Sequence, residues 1–166
     1  MIIQISNLTD GDYHYTFDKK VEEIGLSDPF FSNIRVESQL QKSQRQIILS
    51  SKIKVNVNFE CDRCGIEYKQ ELTKEYKIVY LFSSEINDED QVDLKYISFE
   101  TDTINLAPEV RDYAQLAIPM KKLCKEDCNG LCLKCGKNLN EGRCNCKTKE
   151  IDQRWLPLEK LRNKVN

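Results

Sequence analysis

Eight cysteines in four close pairs constrain this chain more than any other feature of its sequence. They are Cys61-x2-Cys64, Cys124-x3-Cys128, Cys132-x2-Cys135 and Cys144-x-Cys146. The fold must bring each pair to a turn, and must either oxidise the thiols or supply them with a metal. Two pairs are C-x2-C, the spacing at which two thiolates on a tight turn reach one metal, each about 2.3 Å away. Gly65 and Gly136 directly follow the second cysteines of these two pairs. A glycine there takes φ > 0 and turns backbone N–H groups toward sulfur, which orients the ligands. Cys132, Cys135, Cys144 and Cys146 supply four thiolates within fifteen residues, enough for one closed tetrahedral zinc site. Cys61, Cys64, Cys124 and Cys128 then form a second site across the 59 residues between Cys64 and Cys124. Spacing leaves this partition open, because Cys128 and Cys132 exchange roles without altering either count.

Other uses of cysteine fit less well. An even count suits disulfides, but the start of the sequence, Met1-Ile2-Ile3-Gln4-Ile5-Ser6-Asn7, has no basic segment, sustained apolar stretch or small-residue cleavage site. The expected compartment is therefore the reducing cytoplasm, where structural disulfides are rare. A redox-active C-x-x-C normally follows a strand and opens a helix. Here Gly65-Ile66-Glu67-Tyr68 reads as a turn and a strand. Catalytic zinc keeps an open position and often uses His or Glu. The one histidine, His14, lies in a strand-like stretch far in sequence from every cysteine. No Gly-rich phosphate loop and no Ser, His and acid set are present, so the chain is not expected to be an enzyme or to take a small-molecule substrate.

The remainder reads as an α+β fold: an antiparallel β-sheet with a covering helix and a C-terminal cysteine-rich zinc-binding tail. Hydrophobic residues are 40% of the chain, which supports a core without disulfides, and no apolar run approaches the ~20 residues of a membrane helix. Ile3 and Ile5 lead to Leu8 and a turn at Thr9-Asp10-Gly11-Asp12, after which Tyr13, Tyr15 and Phe17 alternate. Residues 21–33, with Gly25, Pro29 and Asn33, read as a loop. Alternation resumes at Ile34, Val36, Ser38 and Leu40, and again at Ile53, Val55, Val57 and Phe59, which run into Cys61. Residues 66–82 form the return strand, followed by an acidic loop at 83–93 (Glu85, Asp88, Glu89, Asp90, Asp93). Consecutive strands with short connections favour an antiparallel meander. The period then changes to helical near 105–118, with Asn105 as cap, Pro108 in the first turn and Pro119 beyond the end. This divides the chain into a β-rich domain, 1–120, and a zinc-binding tail, 121–166, packed on it. Trp155–Lys164 reads as a short helix.

Charge separates along the same line. Residues 61–120 carry six Lys/Arg against thirteen Asp/Glu, net −7, and residues 121–166 carry twelve against six, net +6. A basic tail permits a nucleic-acid partner without requiring one.

Taken in order, Phe59-Glu60-Cys61-Asp62-Arg63-Cys64, Leu116-Ala117-Ile118-Pro119, Leu123 to Cys132, Cys135-Gly136-Lys137-Asn138-Leu139-Asn140, Cys144-Asn145-Cys146 and Asp152-Gln153-Arg154-Trp155 with Leu158 and Leu161 resemble the bacterial and plastid YceD family. These are the large ribosomal RNA subunit accumulation proteins. Residues 1–50 resemble the family only in their strand-rich pattern. The resemblance implies a non-catalytic ribosome biogenesis factor that supports accumulation or assembly of large-subunit (23S) ribosomal RNA. Family members vary in the later cysteine cluster, which implies that the site from Cys132 to Cys146 is a local stabiliser.

On this reading two structural zinc ions hold the tail, and structural zinc of this kind is worth about 10–16 kcal/mol. Zinc would fix Lys121, Lys122, Lys134, Lys137 and Arg143 in an array for phosphate contacts. The expected partners are large-subunit ribosomal RNA, a ribosomal protein or an assembly factor, with no membrane. Two rivals remain: a thiol-disulfide oxidoreductase using Cys61 and Cys64, and a zinc adaptor that binds only protein.

Overall fold

In a computed structural model, which describes residues 1–83 and 93–146, the described residues form seven strands and one α-helix. The strands are β1 Ile2–Gln4, β2 Gly11–Lys20, β3 Phe30–Lys42, β4 Gln46–Glu60, β5 Glu67–Phe82, β6 Leu94–Ile97 and β7 Thr103–Asn105, and the helix is α1 Ala107–Leu116. Five strands make the main sheet in the order β2-β3-β4-β5-β6.

β4 shows why these residues form a sheet. Ile47, Leu49, Ser51, Ile53, Val55, Val57 and Phe59 are all buried, and the residues between them are not. Period two puts every second side chain on one face. Each fully buried Val, Leu or Ile contributes about 1.5–3 kcal/mol relative to an exposed one. A slip of one residue would forfeit the whole set, so the register is fixed. β3 does the same with Ile34, Val36, Ser38 and Leu40, and β5 with Tyr76, Ile78 and Tyr80. At the centre of this face Ser38 Oγ and Ser51 Oγ lie 2.8 Å apart, a buried hydroxyl pair across the strands.

β4 and β5 form the longest hairpin, paired from Gln46↔Leu81 to Glu60↔Glu67. Its turn is the segment from Cys61 to Ile66, and the same alternation that buries Phe59 carries Cys61 onto the core side. The first cysteine pair therefore sits at the tip of the hairpin.

The sheet is antiparallel from β2 to β5, as the alternation predicts. β6, however, joins β5 in parallel. β1 does not enter the meander; it pairs antiparallel with β7, Ile3 opposite Ile104, in a separate two-stranded sheet. Both isoleucines are buried, so the first strand is held by residues from far along the chain. The loop expected at 21–33 is in part ordered. Val21–Ile24 form a 3-10 turn that buries Val21 and Ile24, and Gly25 ends it at φ 78. β3 already begins at Phe30, with a bulge between Phe31 and Ile34.

α1 falls within the expected 105–118. Asn105 Oδ1 accepts the Ala107 N–H at 3.1 Å, and proline occupies the first turn. Leu106, Val110 and Ala114 are buried. The Tyr113 ring stacks on Tyr76 of β5 at 4.2 Å, and its hydroxyl donates to Asp93 Oδ1 at 2.7 Å. Lys95 of β6 pairs with Glu109. The rest of the acidic loop (Glu85, Asp88, Glu89, Asp90) and the helix expected at Trp155–Lys164 lie outside the described residues. Among the described residues no helix is long and apolar enough to cross a membrane.

Candidate metal centres and the neighbouring basic surface

The two C-x2-C-Gly segments fold into the same turn. Gly65 N–H donates to Cys61 O at 2.9 Å, and Gly136 N–H donates to Cys132 O at 2.9 Å. Cys61 N–H donates to Ile66 O at 2.9 Å, and Cys132 N–H to Lys137 O at 2.8 Å. The glycines take φ 69 and φ 71, the left-handed region the sequence demands of them. Each turn aims several N–H groups at one sulfur. The Cys124, Arg63 and Cys64 N–H groups hold the Cys61 thiol down at about 6. Those of Cys135 and Lys134 do the same for Cys132, also at about 6. Burial, with the neighbouring thiols, pushes Cys124 up to about 12. The hydrogen bond to Cys135, with burial, pushes Cys146 up to about 12. Four thiolates cannot all ionise side by side without a cation to take up their charge.

The cysteines gather into two groups of four, Cys61, Cys64, Cys124 and Cys128 in one and Cys132, Cys135, Cys144 and Cys146 in the other. Within each group all four sulfurs lie within 4.8 Å of one another. This resolves the partition that spacing left open. All eight are free thiols. In the first group Cys61 Sγ and Cys128 Sγ are 3.8 Å apart and Cys64 Sγ and Cys124 Sγ are 3.7 Å apart. A disulfide needs about 2.05 Å, whereas four sulfurs about 2.3 Å from a central zinc stand about 3.8 Å apart at the edges of the tetrahedron. The second group is tighter at one edge, with Cys144 Sγ 3.3 Å from Cys132 Sγ. Each group thus offers a four-sulfur donor set that fits one metal ion.

The two centres differ in burial. Cys61 is 2% exposed, Cys64 5% and Cys128 2%, and these three form their own buried cluster beside the main core. In the second group Cys135 is exposed and the others are half-buried.

Several side chains that the sequence did not assign hold the hairpin tip to the tail. Asp62 N–H donates to Lys122 O at 2.8 Å, and Asp62 Oδ2 accepts the Lys122 N–H at 2.7 Å. Arg63 Nη1 donates to Cys128 O at 2.8 Å. Gly130, at φ 71, passes so close that an added Cβ would lie 2.9 Å from Arg63 O. Asn140 belongs by sequence to the second centre but serves the first. Its Nδ2 donates to Cys128 Sγ at 3.3 Å and its Oδ1 accepts the Asn129 N–H at 2.9 Å. A donor contact of this kind orients a ligating sulfur. The one advance signal for Asp62, Arg63 and Asn140 was their place inside the quoted motif strings, which carries no role.

The basic candidates are placed unequally. Lys121, Lys134, Lys137 and Arg143 are exposed. Lys122 is half-buried, with Nζ 5.8 Å from the Phe59 ring. Lys137 Nζ donates to Arg143 O at 3.3 Å and so braces the loop of the second centre. Beside Lys134 at the tip of the second turn, Leu133 is 96% exposed. His14 lies on the exposed side of β2, an element that contributes nothing to either centre.

Residues 49–162 match the family model of the large ribosomal RNA subunit accumulation protein YceD. The chain belongs to the YceD family. It is 25% identical over 160 residues to the large ribosomal RNA subunit accumulation protein YCED homolog 1, chloroplastic, of Arabidopsis thaliana, covering 80% of this chain and 49% of that protein. Over 57 residues it is 39% identical to the protein of the same name in Zea mays, covering 34% of this chain and 19% of that protein. The chain thus spans at most about half the length of these curated relatives. No solved structure matches it.

Proposed function

We propose that this protein is a non-catalytic, cytoplasmic factor that supports accumulation or assembly of large-subunit ribosomal RNA, and that its two four-cysteine centres hold structural zinc. The family match over residues 49–162 carries the first half of this reading, because the family's name concerns the large ribosomal RNA subunit. The sulfur spacing of the first centre supports the second half. So does the all-thiol donor set, which closes a tetrahedron and leaves no open position for chemistry.

The exposed Lys121, Lys134 and Arg143 are the proposed phosphate contacts, since cations held on a rigid frame bind a polyanion with little ordering cost. Lys137, exposed as well, joins them while bracing the loop through Arg143 O; the half-buried Lys122 contributes to the frame. The oxidoreductase rival is disfavoured by the burial of Cys61 and Cys64 and by their shared group with Cys124 and Cys128. The turn after Cys64 also leads into a strand, with no helix N-terminus to activate a thiolate.

Two measurements test the reading. Mass spectrometry of protein purified without added zinc should find two zinc ions per chain, with thiols that react only after chelation; metal-free, fully reduced protein would overturn the zinc assignment. In ribosome gradients the protein should migrate with precursors of the large subunit, and a deletion strain should accumulate less large-subunit RNA. A triple variant, K121E/K134E/R143E, should lose the co-migration while keeping its zinc. Normal RNA levels and no co-migration would instead favour an adaptor that binds only protein.

A further inference from the structure

Among the described residues β2 has β3 as its only neighbour in the main sheet, so one long edge of the sheet ends on β2. The strand is ten residues long and contains no proline. Such an edge presents a row of backbone donors and acceptors to any strand that fits it. Sheets protect their edges with bulges, prolines, very short strands or charges; β2 has neither bulge nor proline and is not short, so its charges, Asp12, Asp18, Lys19 and Lys20, decide which strand fits.

Its side chains specify what fits. On one face Tyr13, Tyr15 and Phe17 are half-buried, with the Tyr15 and Phe17 rings stacked 6.4 Å apart. On the other face Asp12, His14, Thr16, Asp18 and Lys20 are exposed. In an antiparallel pair, directly opposite residues share a face, so pairing β2 with itself must set odd residues against odd and even against even. One such register is complementary throughout. With Thr16 opposite Thr16 of a second copy, Asp12 faces Lys20 and His14 faces Asp18. On the aromatic face Tyr15 meets Phe17, and Lys19 meets the Tyr13 ring. Every contact occurs twice about the two-fold axis. The registers two residues to either side lose this match: one sets Asp12 against Asp18, and the other takes Lys20 away from Asp12 and sets it against His14. Opposite charges and aromatic pairs directly across a ladder stabilise it, and like charges destabilise it.

Existing contacts leave the register free. Among the described residues Lys19 makes an exposed pair with Glu23 at 3.3 Å, and Asp18 accepts from Asn33 while keeping a second carboxylate oxygen. We propose that β2 is a dimerisation edge, pairing antiparallel with β2 of a second copy about a two-fold axis at Thr16. This joins two five-stranded sheets into one and continues the aromatic stripe across both copies. It leaves both metal centres outside the interface, since no cysteine lies on β2.

Charge exchange tests the register. Sedimentation equilibrium of the full chain at low salt should show a monomer–dimer equilibrium between micromolar and millimolar concentrations. D12K sets a second lysine against Lys20, and K20E sets a second carboxylate against Asp12, so each variant should weaken self-association at least tenfold. Mixed together, the two should associate as a heterodimer, because every outer pair then has opposite signs. Thermal melts matching wild type would establish that both variants fold. A wild-type chain that stays monomeric at millimolar concentration overturns the proposal and leaves the edge to a strand of a different protein. Wild-type self-association by both variants also overturns it, as does failure of the mixture to recover.

Discussion

Gly130 and Gly136 share a backbone conformation, φ 71 in each, but not an environment. A Cβ at Gly136 would meet nothing within 4 Å, while one at Gly130 would press on the Arg63 carbonyl at 2.9 Å. Gly136→Ala should therefore cost only the conformational penalty, about 1–2 kcal/mol. Gly130→Ala should cost clearly more, because the hairpin tip and the tail must also separate. Denaturant unfolding of the two variants, followed by zinc release, will show whether the order holds. Asn140→Ala makes a sharper case. Loss of an outer-shell partner of a metal ligand typically lowers affinity about 10–100-fold. The loss should appear at the centre of Cys61, Cys64, Cys124 and Cys128, although Asn140 lies between Cys135 and Cys144 in sequence. Competition with a chromophoric chelator should find that centre weakened and the other one little changed.

Among the elements, the β4–β5 hairpin was the most legible. Ile53, Val55 and Val57 alternate, and a C-x2-C-Gly segment marks the turn, so strand, face and turn all follow from residues close in sequence. The pairing of β1 with β7 was not legible. Three residues are too few to carry a period, and Ile3 meets Ile104 only through the assembled core. The 3-10 turn was hidden for a related reason: Val21 and Ile24 look like isolated apolar residues until β3 is there to bury them. In the two four-cysteine groups, all eight cysteines could be named from spacing, but only folding decided that Cys128 joins Cys61. The role of Asn140 could not be read from its motif, because its contact crosses from one group to the other. The buried Ser38–Ser51 pair yields a test at this scale. Ser51→Ala removes one hydroxyl and strands the other in the core, which should cost about 1–3 kcal/mol. The double variant S38A/S51A removes both hydroxyls of the pair and should recover much of that loss. A double-mutant cycle in urea measures the difference.

At the scale of the whole molecule, the main hydrophobic core and the cysteine cluster are separate bodies. The core contains no cysteine, and Tyr68 packs against both. Metal removal should therefore divide the protein's behaviour. Chelation should strip the exposed centre of Cys132, Cys135, Cys144 and Cys146 first and the buried centre later, giving two kinetic phases. The β-sheet circular dichroism should survive both, because apolar burial in β3, β4 and β5 does not depend on sulfur. A single phase with complete loss of sheet signal would mean that the two bodies unfold as one.

The first centre draws half its sulfur from the tip of the hairpin and half from a segment separated from it by 59 residues. At about 5–20 residues per second of synthesis, Cys61 and Cys64 wait on the order of 3–12 seconds before Cys124 has been made. Once Phe82 has also been made, the nascent chain can close the hairpin with two bare thiols at its tip. A chain cut short by premature termination carries them permanently. The clasp between hairpin and tail thus closes only in a chain translated past Cys128; a shorter fragment leaves the hairpin-tip thiols without their partner sulfurs.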